Sequence, residues 1–323
     1  MSDPNNYSLG WISAIDLEYA AAQVFLDNRH AGPRWAHRTD NNHYTLGTIG
    51  NHNVVMAALP SGEAGTHAAT AVAKDMMATF TNVKACLMVG IGGGAPSERH
   101  DIRLGDVVVS TPSFHHSSGN HGGVFQYDYG RTVQERRFQS ARYLNQPPRS
   151  LLTAVTGLRA RHRTTGNDID ASIRHVIQAN RRMQREYSRP NPATDKLYAT
   201  DKAQDTPKLV ERAERTEDDD NPAIHYGLIA SADNFMEDAE IRDILSDELD
   251  VLCFEMEAAG LMNNFPCIVI RGICDYADSH WCKEWRGYAA MAAAAYAREL
   301  LLEVRPQQLE AEKGIGQLLD QRQ

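Results

Sequence analysis

The chain has 323 residues, 42% of them hydrophobic and 23% charged, enough apolar material to bury a substantial core. A formal net charge of −9 argues against nucleic acid or an acidic membrane surface as a partner. Five cysteines (Cys86, Cys253, Cys267, Cys274 and Cys282) contain no C-x-x-C pair, which disfavours a disulfide framework or zinc site and reads as buried thiols in a reducing compartment.

No basic region followed by an apolar signal core opens the sequence, and no apolar run is long enough to span a bilayer. The longest candidate, "MAAAAYARELLLEV", is interrupted by Arg298 and Glu299. A soluble, cytoplasmic protein is expected.

In chain order, the first strand is expected at "SLGWISAI", followed by a helix over "DLEYAAAQVFLD". A second strand at "NHNVVMAALP" precedes a helix over "THAATAVAKDMMATF", for which Thr66 is the expected N-cap. "KACLMVGIG" and "GDVVVSTP" are further strands. "FHHSSGNHGG" then offers His115, His116 and His121, but a loop rich in glycine and serine lacks the fixed spacing a metal needs, and lining a pocket or a subunit contact suits it better.

From about residue 127 to 220 the pattern breaks into a polar insertion with helix at "LLTAVTGLRARHR" and "ASIRHVIQANRRMQREY". Residues 131–189 hold 13 arginines and no lysine against four acids, whereas 201–220 holds eight acids against four bases. Those arginines either face solvent and the acidic stretch, or serve an anionic ligand.

Strands resume at "HYGLIAS", "DVLCFEM" and "PCIVIRGI", with helices over "EAAGLMNN" and "YAAMAAAAYARELLLEV". Near-continuously apolar strands alternating with helices imply an α/β sheet covered on both faces. In such folds ligands gather at the carboxyl ends of strands. Acids fall at those places: Asp16 and Glu18 after the first strand, Asp233 after "GLIAS", and Asp275 after "IRGIC".

The glycines of "VGIGGGAPSERHDIRLGDVVV" do not fit a dinucleotide fingerprint, since no helix opens after them. Either Gly90, Gly92, Gly93 and Gly94 let the backbone approach a ligand, or they form a tight turn. In "CFEMEAAGLM", Glu255 and Glu257 sit in an apolar segment where a strand passes into a helix. Buried carboxylates need partners, supplied by the protein or by a ligand. In "RGICDYAD", Asp275 is a helix cap or a proton donor.

Four stretches taken together, "GWISAIDLE", "MVGIGGGAP…IRLGDVVVS", "IASADNFM" and "FEMEAAGLM…IRGICDYAD", resemble the nucleoside phosphorylase and methylthioadenosine/S-adenosylhomocysteine nucleosidase superfamily. The form most similar is the fungal one found at the front of NACHT or ankyrin-repeat proteins. The likeness covers about residues 7–126 and 223–304. It implies a three-layer α/β/α fold with a central mixed sheet, a catalytic domain over 1–305 with its insertion at about 127–220, and a polar C-terminal helix or linker over 306–323.

The resemblance also implies roles. Glu18, with Asp16 as the neighbouring alternative, would activate water. Phe235 would stack on a purine and Met236 would give it backbone contacts. Met256 and Glu257 would hold the ribose, with Glu255 sharing the sugar or satisfied by backbone. Asp275 would protonate the purine. Gly92 and Gly93 belong to the same substrate site. In phosphorylases of this superfamily an arginine precedes the glycine turn; here that place is Met88, and Ile91 replaces a small hydroxyl residue. Hydrolysis is therefore expected, without cofactor or metal, on a purine nucleoside or an adenine nucleotide such as ATP. For a nucleotide, Arg131, Arg136 and Arg137 are candidate phosphate ligands. A phosphate-dependent phosphorylase and a non-catalytic nucleotide-sensing module are the alternatives, and a homo-oligomer is expected.

Overall fold

Strand β1 (Leu9–Ser13) is buried along its whole length, as its unbroken apolar run requires. The computed structural model around it describes residues 1–115, 119–128, 130–133, 137–140, 144–199, 208–216, 219–262, 264–280 and 282–312.

Among the described residues the main sheet has ten strands. After β1 come β2 (Asn28–His30), β3 (Tyr44–Ile49), β4 (His52–Ala58), β5 (Ala85–Gly94), β6 (Val107–Ser110), β7 (Val124–Gln126), β8 (Ile224–Ser231), β9 (Val251–Glu255) and β10 (Cys267–Asp275). Their order is β9-β8-β6-β10-β5-β1-β4-β3-β2, with β7 beside β8. The sheet is mixed: β1 runs parallel to β4 and β5, whereas β6 opposes β10 and β3 opposes β4.

One half of the sheet curls shut. The far end of β5 pairs antiparallel with β9, matching Gly94 with Cys253 and Gly93 with Phe254. This joins β5, β9, β8, β6 and β10 into a ring. Glycine at 92 permits the closure, because a Cβ there would lie 2.8 Å from the Phe254 carbonyl oxygen.

Nine α-helices occur among the described residues: α1 (Asp16–Gln23), α2 (Gly65–Thr79), α3 (Arg149–Thr165), α4 (Ile169–Ala179), α5 (Gln184–Tyr187), α6 (Ala239–Leu249), α7 (Ala258–Leu261), α8 (Arg286–Glu303) and α9 (Pro306–Glu310). Alanine-rich α8 is buried almost all round and packs on β5 and β10, with α1, α3, α4 and α5 against it. α2 packs on α7 and touches β1 and β4. None of the described helices is long and apolar enough to cross a membrane.

The insertion joins the main core. In α3, Leu151, Ala154, Val155, Leu158 and His162 form one buried stripe at helical spacing, and Ile169, Ile173 and Ile177 do the same in α4. All five cysteines are free, four of them buried.

Several local expectations change. Thr66 does not cap α2, whose N-cap is Ala64; Thr66 lies inside the first turn, and its N–H and hydroxyl both donate to Asp233. Helix over "EAAGLMNN" shrinks to the single turn of α7. The loop read at "FHHSSGNHGG" contains a short antiparallel ladder joining Ser113–His115 to Gly119–His121; His116 lies outside the described residues.

Candidate active site

One cleft gathers the ends of the strands. It is lined by Ala14, Ile15 and Glu18 after β1, Ile91 to Gly93 of β5, Asn234 to Glu237 after β8, and Phe254 to Glu257 at the end of β9. Arg271, Cys274 and Asp275 of β10 line it too, with Lys283 in the 3-10 turn before α8 and Arg286 at the first position of α8.

Glu18 stands in the first turn of α1 and turns back on its own N-terminus. Its Oε2 accepts N–H bonds from Ala14 at 2.6 Å and Ile15 at 3.2 Å, and its Oε1 accepts one from Ile91 at 2.8 Å. Only 4% of its surface is exposed. Burial pushes its carboxyl above the usual range, although Arg271 and these three N–H groups pull the other way. Gly90 makes room for it: a Cβ there would meet Glu18 Oε1 at 2.4 Å and Arg271 Nη1 at 2.6 Å. The glycine run therefore accommodates the protein's own site groups, while Gly92 and Gly93 also face the cleft. Asp16 is exposed, caps the Leu17 N–H and does not line the cleft.

Glu255 and Glu257 meet Arg271, a partner sequence reasoning missed. The guanidinium is 1% exposed. It donates from Nη2 to Glu255 and, at 3.2 Å, to Glu257, and from Nη1 to the Ile91 carbonyl at 3.3 Å. Burial opposes its charge, but Glu255, Glu257 and Glu18 outweigh that and raise it above its ordinary value. The missed signal is chemical: an arginine inside "CIVIRGICD", an otherwise apolar strand, requires buried acids nearby.

The two glutamates are not equivalent. Glu255 accepts the N–H groups of Glu257 and Ala258 at the start of α7, so backbone and Arg271 together satisfy it. Glu257 has one Arg271 contact and a 3.3 Å bond from the Gly65 N–H at the start of α2. Burial, with Glu255 and Glu18 adding to it and Arg271 opposing, pushes the Glu257 carboxyl up to about 7.

Asp275 ends β10 and caps no helix. Its Oδ1 accepts the Ala277 N–H at 2.9 Å, presented by a residue in the left-handed region with φ of 50°. Its Oδ2 accepts the Cys274 thiol at 3.2 Å. Asp278 also lines the cleft, but its carboxylate pairs with buried Arg242 at 3.5 Å and accepts the His280 N–H.

Phe235 is 66% exposed at the rim of the cleft, and Met236 packs against the small apolar cluster that includes Phe254. Their loop is pinned from the start of the insertion: Tyr127 donates to the Asn234 carbonyl and Asp128 accepts the Asp233 N–H. Met256 lies in the cleft between the glutamates.

Arg131 and Arg137 lie on a separate two-stranded ladder, Gly130–Val133 against Arg137–Ser140, and Arg136 lies outside the described residues. Other insertion arginines fasten the insertion down: Arg161 pairs with Glu299 and Glu303 of α8, and Arg174 with Asp170. Besides Arg271, the cations lining the cleft among the described residues are Lys283 and Arg286.

Residues 10–304 match the model of the phosphorylase superfamily. A nucleotide-binding leucine-rich repeat (NLR)-like protein of Hyaloscypha variabilis is 44% identical over 311 residues, covering 95% of this chain. The chain spans about 30% of the length of that relative. The fold resembles 5'-methylthioadenosine/S-adenosylhomocysteine nucleosidase from Neisseria meningitidis, crystallised with methylthio-immucillin-A: TM-score 0.58 at 17% identity, covering 92% of this chain and 99% of that one. It also resembles futalosine hydrolase of Helicobacter pylori, with TM-score 0.56 at 16% identity over 92% and 97% of the two chains.

Proposed function

The chain belongs to the phosphorylase superfamily, and within it we propose a purine nucleosidase that cleaves the N-glycosidic bond with water. The observation that carries this reading is Glu18, a buried carboxylate with a raised proton affinity, facing a cleft shared with Glu257 and Asp275.

The chemistry follows from those groups. As the N9–C1′ bond breaks, its electron pair stays with the purine, and Asp275 delivers a proton to N7 so that the base leaves neutral. Positive charge develops on the sugar, where Glu257 accepts bonds from the ribose hydroxyls and its negative charge opposes the growing cation. Water attacks C1′ and gives its proton to Glu18. The products are free base and the hydrolysed sugar.

Water is favoured over phosphate because the position of the phosphate-holding arginine is Met88, fully buried in β5. Ile91 offers the cleft no side-chain hydroxyl. Support for a nucleotide substrate such as ATP comes from Lys283 and Arg286. Neither is paired with a carboxylate among the described residues, and both line the cleft. Phosphate groups suit such cations, and a neutral nucleoside leaves them unused.

Adenosine, inosine and ATP, each incubated with and without inorganic phosphate, test the proposal. Free base should appear at the same rate in both conditions. Ribose 1-phosphate formed only with phosphate would overturn hydrolysis in favour of phosphorolysis.

A further inference from the structure

Cys274 is the residue at which β10 loses register with β5, between Ile273 and Asp275. Its side chain is buried at the wall of the cleft, and its sulfur is 3.2 Å from Asp275 Oδ2. Among the described residues no other side chain is hydrogen-bonded to Asp275. The remaining bond comes from the Ala277 backbone to Oδ1 at 2.9 Å.

The two carboxyl oxygens are therefore held by unequal donors. A backbone amide is a strong donor and a thiol a weak one. Because a donor bond stabilises negative charge on the oxygen that accepts it, Oδ1 is the poorer place for a proton and Oδ2 the better one. Burial, reinforced by the adjacent Asp275, keeps the Cys274 thiol protonated far above its usual range, so it remains a donor at neutral pH.

We propose that Cys274 is a positioning residue for the proton donor: its S–H fixes Asp275 Oδ2, and Oδ2 is the oxygen that carries the proton to the leaving base. This rests on the nucleosidase reading above. When the proton leaves Oδ2, the thiol is already in place to stabilise the carboxylate left behind. Other charged groups face this position from neighbouring elements. Arg286 approaches from the start of α8 and Glu18 from α1, while Lys283 of the 3-10 turn before α8, Glu255, Glu257, Arg271 and Asp278 line the same cleft. The thiol and the Ala277 amide set which oxygen takes the proton.

The test compares wild type with Cys274→Ser and Cys274→Ala. The alkaline limb of kcat/KM reports the essential acid of the free enzyme, the group that gives the proton. Serine, the stronger donor, should move that limb to lower pH by roughly half a unit to one unit; alanine should move it to higher pH. Alanine should also lower the plateau by roughly two- to tenfold. A packing role alone would change Tm or the plateau and leave the limb in place, and an unmoved limb in both variants overturns the proposal. A second readout needs no substrate: the infrared S–H stretch that disappears in Cys274→Ser. It should shift in Asp275→Asn, where the thiol no longer donates to a carboxylate oxygen. A band that does not shift overturns the proposal even in a protein that cleaves no purine, whereas absence of turnover by wild type sinks the nucleosidase reading alone.

Discussion

A single nitrogen, Arg271 Nη2, donates to both Glu255 and Glu257 and so ties the end of β9 to the start of α7. Three charged groups share one buried volume, and the net effect depends on all three being present. Removing the cation leaves these two carboxylates, and the nearby Glu18, buried without it, a change that costs about 3–5 kcal/mol where measured for buried pairs. Arg271→Met should show that loss in urea unfolding. Adding Glu255→Gln should recover part of it, since one of the stranded charges disappears. Additive losses in the double variant would mean that the three groups do not act as a unit.

Glu257 makes stability depend on pH in a defined direction. Its folded value of about 7 exceeds the ordinary 4.5. Between those values the folded chain holds a proton that the unfolded chain has lost, so stability falls as pH rises through this window. Glu18, also raised by burial, adds a slope of the same sign. Tm measured from pH 4.5 to 7.5 should therefore decline more steeply in wild type than in Glu257→Gln. A Tm slope unchanged by the substitution would place the titrating group elsewhere.

The strands, their alternation with helices and the acids at their ends were readable because each is a local pattern: apolar runs, helical spacing, and polar residues where the runs stop. Glu18, Glu257 and Asp275 emerge from that pattern and do line one cleft. Relations across the fold were not readable. The capping of α2 by Asp233 joins residues 167 apart in sequence. The closing of β5 onto β9 depends on glycines whose surroundings exist only after folding. Helix α6 was missed because its apolar stripe is thin, with Ile241 and Ile244 each 46% exposed. The insertion's arginines looked available for phosphate, yet Arg161 is committed to the two acids on α8.

Glu18 and Asp16 differ by position, and activity should separate them. Glu18→Gln removes the base while keeping the shape, and should lower kcat by roughly 10²- to 10⁴-fold with KM little changed. Asp16→Asn alters only an exposed first-turn residue and should leave kcat/KM within about twofold of wild type. Equal losses from both substitutions, or full activity in Glu18→Gln, would remove Glu18 from the mechanism. Tm must be measured alongside, because the Gln amide would present N–H groups toward donors from Ala14 or Ile91.

Selectivity for phosphate should depend on Lys283 and Arg286. Arg286 is half-buried at the first position of α8, whose first turn contains no acid to neutralise it. A bond from either cation to a phosphate oxygen is charge-assisted, contributing roughly 1.5–3 kcal/mol, about ten- to a hundredfold in binding. The pair Lys283→Ala and Arg286→Ala should therefore reduce kcat/KM for ATP by at least about tenfold and leave adenosine nearly unchanged. Salt gives an independent check, since raising ionic strength weakens attraction to an exposed lysine more than to a half-buried arginine. The salt dependence of ATP cleavage should be smaller in Lys283→Ala than in wild type. If both substrates lose activity equally, the two cations support the fold of the cleft and do not read the substrate's charge.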